Sequence, residues 1–179
     1  MDLIVTSDAE GAWLDWGAGK KRAAIGPAGI AVKTGEGDNI TPRGSFPVRE
    51  VFYRADRVTR PVTSLPLRAI ARDDGWCDAP GDPNYNRPVK LPYPASAEQM
   101  WRDDHLYDLV VVLGYNDDPV VPGKGSAIFL HVARSVGEGR SDNKNEPGYL
   151  PTQGCVALAY PDLLQAIEQL QPGDQVVIG

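Results

Sequence analysis

Two side chains in this sequence carry its most distinctive chemistry. His131 stands near the end of an apolar run at residues 127–132, and Cys155 follows Gly154 and precedes a second apolar stretch. A thiol is a weak nucleophile near neutral pH, because the reactive form is the thiolate. An imidazole within reach takes the thiol proton and later returns it to a leaving amine. The two residues are 24 positions apart, so only tertiary structure can join them, as is usual for a Cys–His pair. Backbone N–H groups at Gly154 and Cys155 are expected to face an oxyanion, since a glycine lets the chain approach a substrate carbonyl closely. Either the Val132 carbonyl or a nearby polar side chain is expected to orient the imidazole. Taken singly, each residue reads as a buried core group; taken together, framed by strands, they read as a site.

The rest of the chain bounds what such a site serves. At 179 residues it is expected to form one domain, residues 1–179, with a core that needs no staple. Its 19 glycines and 16 prolines suit a β-rich fold with many turns. The net charge of −6, with no compensating basic stripe, argues against a nucleic-acid partner. No stretch is long and apolar enough for a membrane segment. The first residues show neither a basic n-region nor an apolar h-region, so a cytoplasmic location is expected. A periplasmic one stays open if the chain is the trimmed form of an exported protein. Cys77 reads as a small buried filler, and neither cysteine needs a disulfide. No cofactor is expected and no metal, since Asp117-Asp118 lack further ligands.

Short apolar runs at 3–6, 12–16 and 21–25, separated by turn residues, predict a three-strand meander. The glycine-rich connection at 26–39 has no helix after it and reads as a plain turn region. Residues 40–53 predict a turn and then a strand. Arg54 and Arg57 follow on a polar loop, where they either line a carboxylate-binding wall or face solvent. Residues 72–94 look irregular, and long irregular loops are often functional. Trp76, Tyr85 and Arg87 in that loop are candidates for one wall of a cleft. A first helix is expected at 96–105, from the capping-box spacing of Ser96 and Gln99, with His105 at its C-terminal end. Residues 106–114 predict a central strand buried on both faces. A second helix opens at Pro161 with Leu163, Leu164, Ile167 and Leu170 as its apolar stripe, and Gln175–Ile178 forms a last strand.

The chain resembles the L,D-transpeptidase catalytic-domain (YkuD-type) family, in particular its short members. That family carries a histidine, a spacer, and then Ser/Thr-His-Gly-Cys with a hydrophobic residue; His131, Thr152, Gly154, Cys155 and Val156 match. Thr41-Pro42-Arg43-Gly44-Ser45-Phe46 resembles its TPxGxF element. Gln153 departs from the pattern, standing where many members have a second histidine, and Ala157 stands where Asn is common. With Gln153 unable to act as a base, that role falls to His131. Residues 135–150 look inserted, as a lid or as a solvated excursion.

The resemblance implies a β-rich α+β fold, a mixed β-sandwich with two short helices in a single domain. It implies a peptidoglycan stem peptide or soluble muropeptide as partner, with Thr152 and Gln153 beside the substrate. Cys155 would attack the third residue's carbonyl and expel terminal D-Ala, leaving a thioester that water or another stem amine resolves. Hydrolysis, as an L,D-carboxypeptidase in muropeptide recycling, is the expected outcome. The alternatives are L,D-transpeptidation forming 3–3 cross-links, a catalytically impaired peptidoglycan-binding module, and a cysteine hydrolase of an unrelated peptide. The resemblance also implies that a carbapenem would acylate Cys155.

Overall fold

The structure, a computed structural model, describes residues 1–136 and 148–179. The expected meander is present as β1 (Leu3–Asp8), β2 (Gly11–Asp15) and β3 (Lys21–Ala24). Its first turn is set locally, because Asp8 Oδ1 accepts the Glu10 and Gly11 N–H groups at 2.8 and 3.1 Å. The glycine-rich connection holds only β4 (Ile30–Ala31), which pairs in parallel with β5 (Thr41–Pro42). A ten-residue strand, β6 (Gly44–Tyr53), follows, with β7 (Leu67–Ala69) beside it. Then come β8 (Asp74–Cys77), β9 (Pro88–Lys90) and β10 (Ala97–Gln99), β11 (Leu109–Leu113), β12 (Phe129–Val132), β13 (Val156–Leu158), α1 (Tyr160–Gln169) and β14 (Gln175–Ile178).

Two local expectations are corrected. Residues 96–105 do not form a helix, so the described residues contain one helix rather than two. Ala97, Glu98 and Gln99 instead pair antiparallel with Cys77, Trp76 and Gly75, and the Met100 N–H donates to the Asp74 carbonyl. Sheet pairing outweighs the capping-box spacing, a tertiary override of a weak local preference. Residues 72–94 are correspondingly less irregular than expected, since β8 and β9 lie within them and complete a three-stranded sheet with β10.

The large sheet is mixed. It runs β11-β12-β13-β3-β2-β1-β14-β6-β7, and a further pairing of β6 with β11 closes it on itself. β11 is buried on both faces, as its unbroken apolar run predicts. Leu109, Val111 and Leu113 point into the main core with Leu163, Ala166 and Ile167 of α1. Val110 and Val112 point the other way, toward Phe129, Trp76, Met100 and Cys155. Strands β11 to β13 therefore lie between two apolar layers. The pleat's period of two decides which side chains reach each layer.

No helix among the described residues is long and apolar enough to cross a membrane. α1 buries Leu163 completely and Leu164 only in part. Leu163→Ala should lower unfolding free energy by about 2–5 kcal/mol in urea titrations. Leu164→Ala should cost clearly less, on the order of 1 kcal/mol.

Candidate active site

β12 and β13 are parallel neighbours, with Leu130 opposite Val156 and His131 opposite Ala157. Cys155 lies two residues before Ala157, so its side chain shares a face with Ala157 and His131. All three line one cavity of about 330 Å³. Cys155 and His131 are both buried.

The sulfur is held by backbone on two sides. Cys155 Sγ accepts the Phe129 N–H at 3.3 Å and donates to the Ala127 carbonyl at 3.2 Å. Ala127 adopts a left-handed φ of +53°, uncommon for a residue with a Cβ. Its N–H donates to Asn86 Oδ1 at 3.0 Å, and the same oxygen accepts Trp76 Nε1–H at 2.9 Å. Asn86 is thus a brace between the β8–β9 connection and the sulfur's acceptor.

His131 Nδ1 lies 2.9 Å from the Val132 carbonyl. A carbonyl can only accept, so Nδ1 carries the proton and Nε2 is the bare nitrogen. The edge of the ring meets Tyr107, with centroids 5.4 Å apart, and Tyr107 packs in turn on Phe129. Burial lowers the His131 pKa from its ordinary 6.5 to about 4. Burial likewise pushes the Cys155 thiol up to about 12. At neutral pH the resting pair is therefore an uncharged thiol and an uncharged imidazole.

Thr152 organises the turn before the cysteine. Its Oγ1 donates to the Cys155 carbonyl at 2.6 Å and accepts the Gly154 N–H at 3.1 Å. The Gly154 N–H, expected to face an oxyanion, is thereby directed to Thr152. Gly154 has φ +139°, and a Cβ there would lie 2.8 Å from the Ile40 carbonyl, so backbone packing requires the glycine. Thr152 and Gln153 both line the cavity.

The other expected wall residues stand elsewhere. Arg54 is buried, bonded to both carboxylate oxygens of Asp56 and to the Arg102 carbonyl, with its guanidinium 3.6 Å over the Trp101 ring. Arg57 donates to the carbonyls of Asp103 and Asp104 and to Asp108. Both grip the segment that carries Arg102 and Tyr107, and neither faces the cavity. Trp76 packs edge-on against Phe129 at 5.0 Å. The Tyr85 hydroxyl meets Glu36 and accepts the Gly125 N–H. Arg87 is exposed and off the cavity. His105, expected to end a helix, bonds Asp108 through Nδ1 at 2.7 Å.

The cavity's charges come from residues the sequence did not single out. Lys33, Arg102 and Arg134 supply positive charge, and Glu36, Asp78 and Glu98 negative charge. Arg102 pairs with both oxygens of Asp104, which Arg134 also reaches at 2.8 Å. Arg134 lies three residues after His131, where the strand's exit carries it to the cavity rim; that spacing was the available signal. Lys33 sits in a stretch that reads as a turn. The inserted segment is pinned at its base by a bridge between Ser135 and Tyr149. The stretch expected there, either as a lid or as a solvated excursion, lies largely outside the described residues. No group of three potential metal ligands occurs among the described residues.

The lowered His131 pKa makes stability depend on pH. The unfolded chain binds a proton near pH 6.5 that the folded chain refuses until about pH 4. Stability from this group is complete above pH 6.5 and declines as pH falls toward 4, by on the order of 3 kcal/mol. His131→Leu should lack this component. Its unfolding free energy relative to wild type should rise by roughly that amount between pH 7 and pH 4 in urea titrations.

A search of curated proteins and of solved structures finds no significant match. The sequence profile of the family described as L,D-transpeptidase catalytic domain (YkuD) matches residues 3–178. With every described strand inside that match, the chain belongs to the L,D-transpeptidase catalytic-domain family, cysteine enzymes that act on peptidoglycan peptides.

Proposed function

We propose that the protein is an L,D-carboxypeptidase that removes terminal D-Ala from peptidoglycan stem tetrapeptides, with soluble muropeptides of the cytoplasm as its substrates. The observation that carries this reading is the convergence of Cys155, His131 and the Arg102–Arg134 pair on one cavity of about 330 Å³. Hydrolysis needs only water beside the acyl group, whereas transfer needs a second peptide subsite.

Cys155 is the nucleophile. As the third residue's carbonyl enters, Sγ leaves the Ala127 carbonyl and gives its proton to His131 Nε2. The sulfur bonds to the carbonyl carbon, and the oxygen takes up the negative charge beside the Cys155 N–H. Collapse breaks the C–N bond, and the departing D-Ala amine takes the proton from His131. Water then attacks the thioester with His131 as base, releasing the tripeptide carboxylate and restoring the thiol. Val132, through its carbonyl, keeps Nε2 bare at both steps. Arg134 binds the D-Ala carboxylate. Among the described residues its guanidinium has one acidic partner, Asp104, whereas Arg102 is shared between Asp104 and Glu98.

Mass spectrometry of a disaccharide-tetrapeptide incubated with the protein, with and without a second stem peptide, tests this reading. Tripeptide and free D-Ala are expected in both samples, and none with Cys155→Ala. Cross-linked dimers would assign transpeptidation instead, and unchanged turnover by Cys155→Ala would remove the thiol mechanism. Arg134→Ala should raise KM about 10- to 100-fold with a smaller change in kcat, if its guanidinium holds the carboxylate.

A further inference from the structure

Lys33 is buried, an unusual position for a lysine, and it belongs to none of the motifs described above. Its side chain is only 3% exposed and ends on Asp38 and on the Ile40 carbonyl, the latter at 3.3 Å. An ammonium has three donors, and among the described residues these are the two acceptors that Nζ meets. The chain makes room for this side chain at Gly125, and its ammonium ends near Gly154. A Cβ on Gly125, where φ is +104°, would lie 2.5 Å from Lys33 Cε. A Cβ on Gly154, the residue before the cysteine, would lie 3.5 Å from Nζ. Asp38 is fixed in its turn by the N–H groups of Thr34, Gly35 and Ile40, so the counter-ion is built into the loop.

Enclosing such an ion pair costs more desolvation than apolar residues of the same volume would. The pair therefore calls for a use, and the neighbouring chemistry supplies one. Cys155 has only neutral partners at its sulfur, and His131 is uncharged at neutral pH. Of the charged residues lining the cavity, Glu36, Asp78 and Glu98 oppose a thiolate. Arg102 and Arg134 favour one, but their side chains are 31% and 50% exposed and both are paired with Asp104. Solvent screens them more than it screens Lys33.

We propose that Lys33 is the positioning residue for charge at the active centre, its enclosed ammonium supplying the positive potential that lets Cys155 form a thiolate, with Asp38 setting how much of that potential the sulfur feels. The inference rests on Cys155 being the reactive thiol. It does not depend on which peptide is cleaved.

The pH dependence of Cys155 alkylation by iodoacetamide, followed by peptide mass mapping, tests the proposal without a peptide substrate. Lys33→Met should displace the rate profile upward by about one pH unit or more, read as an alkylation about tenfold slower than wild type at a fixed mildly alkaline pH. Asp38→Asn, which keeps the cation and removes its counter-ion, should move it downward. Lys33→Arg should stay close to wild type. Opposite shifts for the two neutralising variants support the proposal, because a merely structural loss would move both the same way. Superimposed profiles, or shifts in one direction, overturn it. If Lys33→Met fails to fold, Asp38→Asn decides alone: a downward shift supports the proposal, and an unchanged or upward one overturns it. Absence of D-Ala release by the wild type would instead count against the carboxypeptidase reading and leave the alkylation result standing.

Discussion

The parallel pairing of β12 with β13 is the constraint on which the site depends. Only in the observed register do His131 and Ala157 lie opposite each other with Cys155 two residues upstream on the same face. A slip of one residue would turn the imidazole into the main core in place of Leu130 or Val132, and the sulfur would remain alone. β11 fixes that register from the far side, with Val110 opposite His131. The aromatic stack of Tyr107, Phe129 and Trp76 then fills the layer beneath the histidine. Packing and chemistry are thus decided by the same pleat.

Burial gives this site its resting character. It keeps the imidazole and the thiol neutral, and it places the permanent charges around them rather than on them. The strained backbone at Ala127 fits the same arrangement. Its carbonyl occupies the thiol's hydrogen while Asn86 holds the unfavourable φ in place. A neutral, buried thiol is the less oxidisable form of a cysteine.

Much of this was legible in the residues. The meander, the doubly buried β11, the helix with Leu163 and Ile167 on its inner face, and the pair of His131 and Cys155 all follow from apolar period, turn chemistry and motif. What escaped depended on partners distant in sequence. Residues 96–105 carry a helix-start pattern, yet β8 offers them a sheet edge, and no local reading can see that edge. Arg54 and Arg57 had the right charge for a substrate wall, but Trp101, Asp56 and Asp108 claim their guanidinium groups. Arg102 and Arg134 carry the same charge and do reach the cavity. Sequence gives the number of arginines in such a neighbourhood without saying which ones fold inward. Asn86 and Lys33 were missed for a related reason, since each sits in a loop and acts through a backbone that only the fold brings near.

The closed sheet has a bearing on how the protein comes into being. β14 lies between β1 and β6, so residues at the two ends of the described chain are strand neighbours. A nascent polypeptide still inside the ribosomal exit tunnel at residue 170 has its histidine and cysteine already synthesised but its barrel open along one seam. Vectorial synthesis cannot complete this molecule piecemeal. The seam is sealed only after residue 178 emerges, and until then the unpaired backbone edges of β1 and β6 are exposed to whatever chaperones or other chains are at hand.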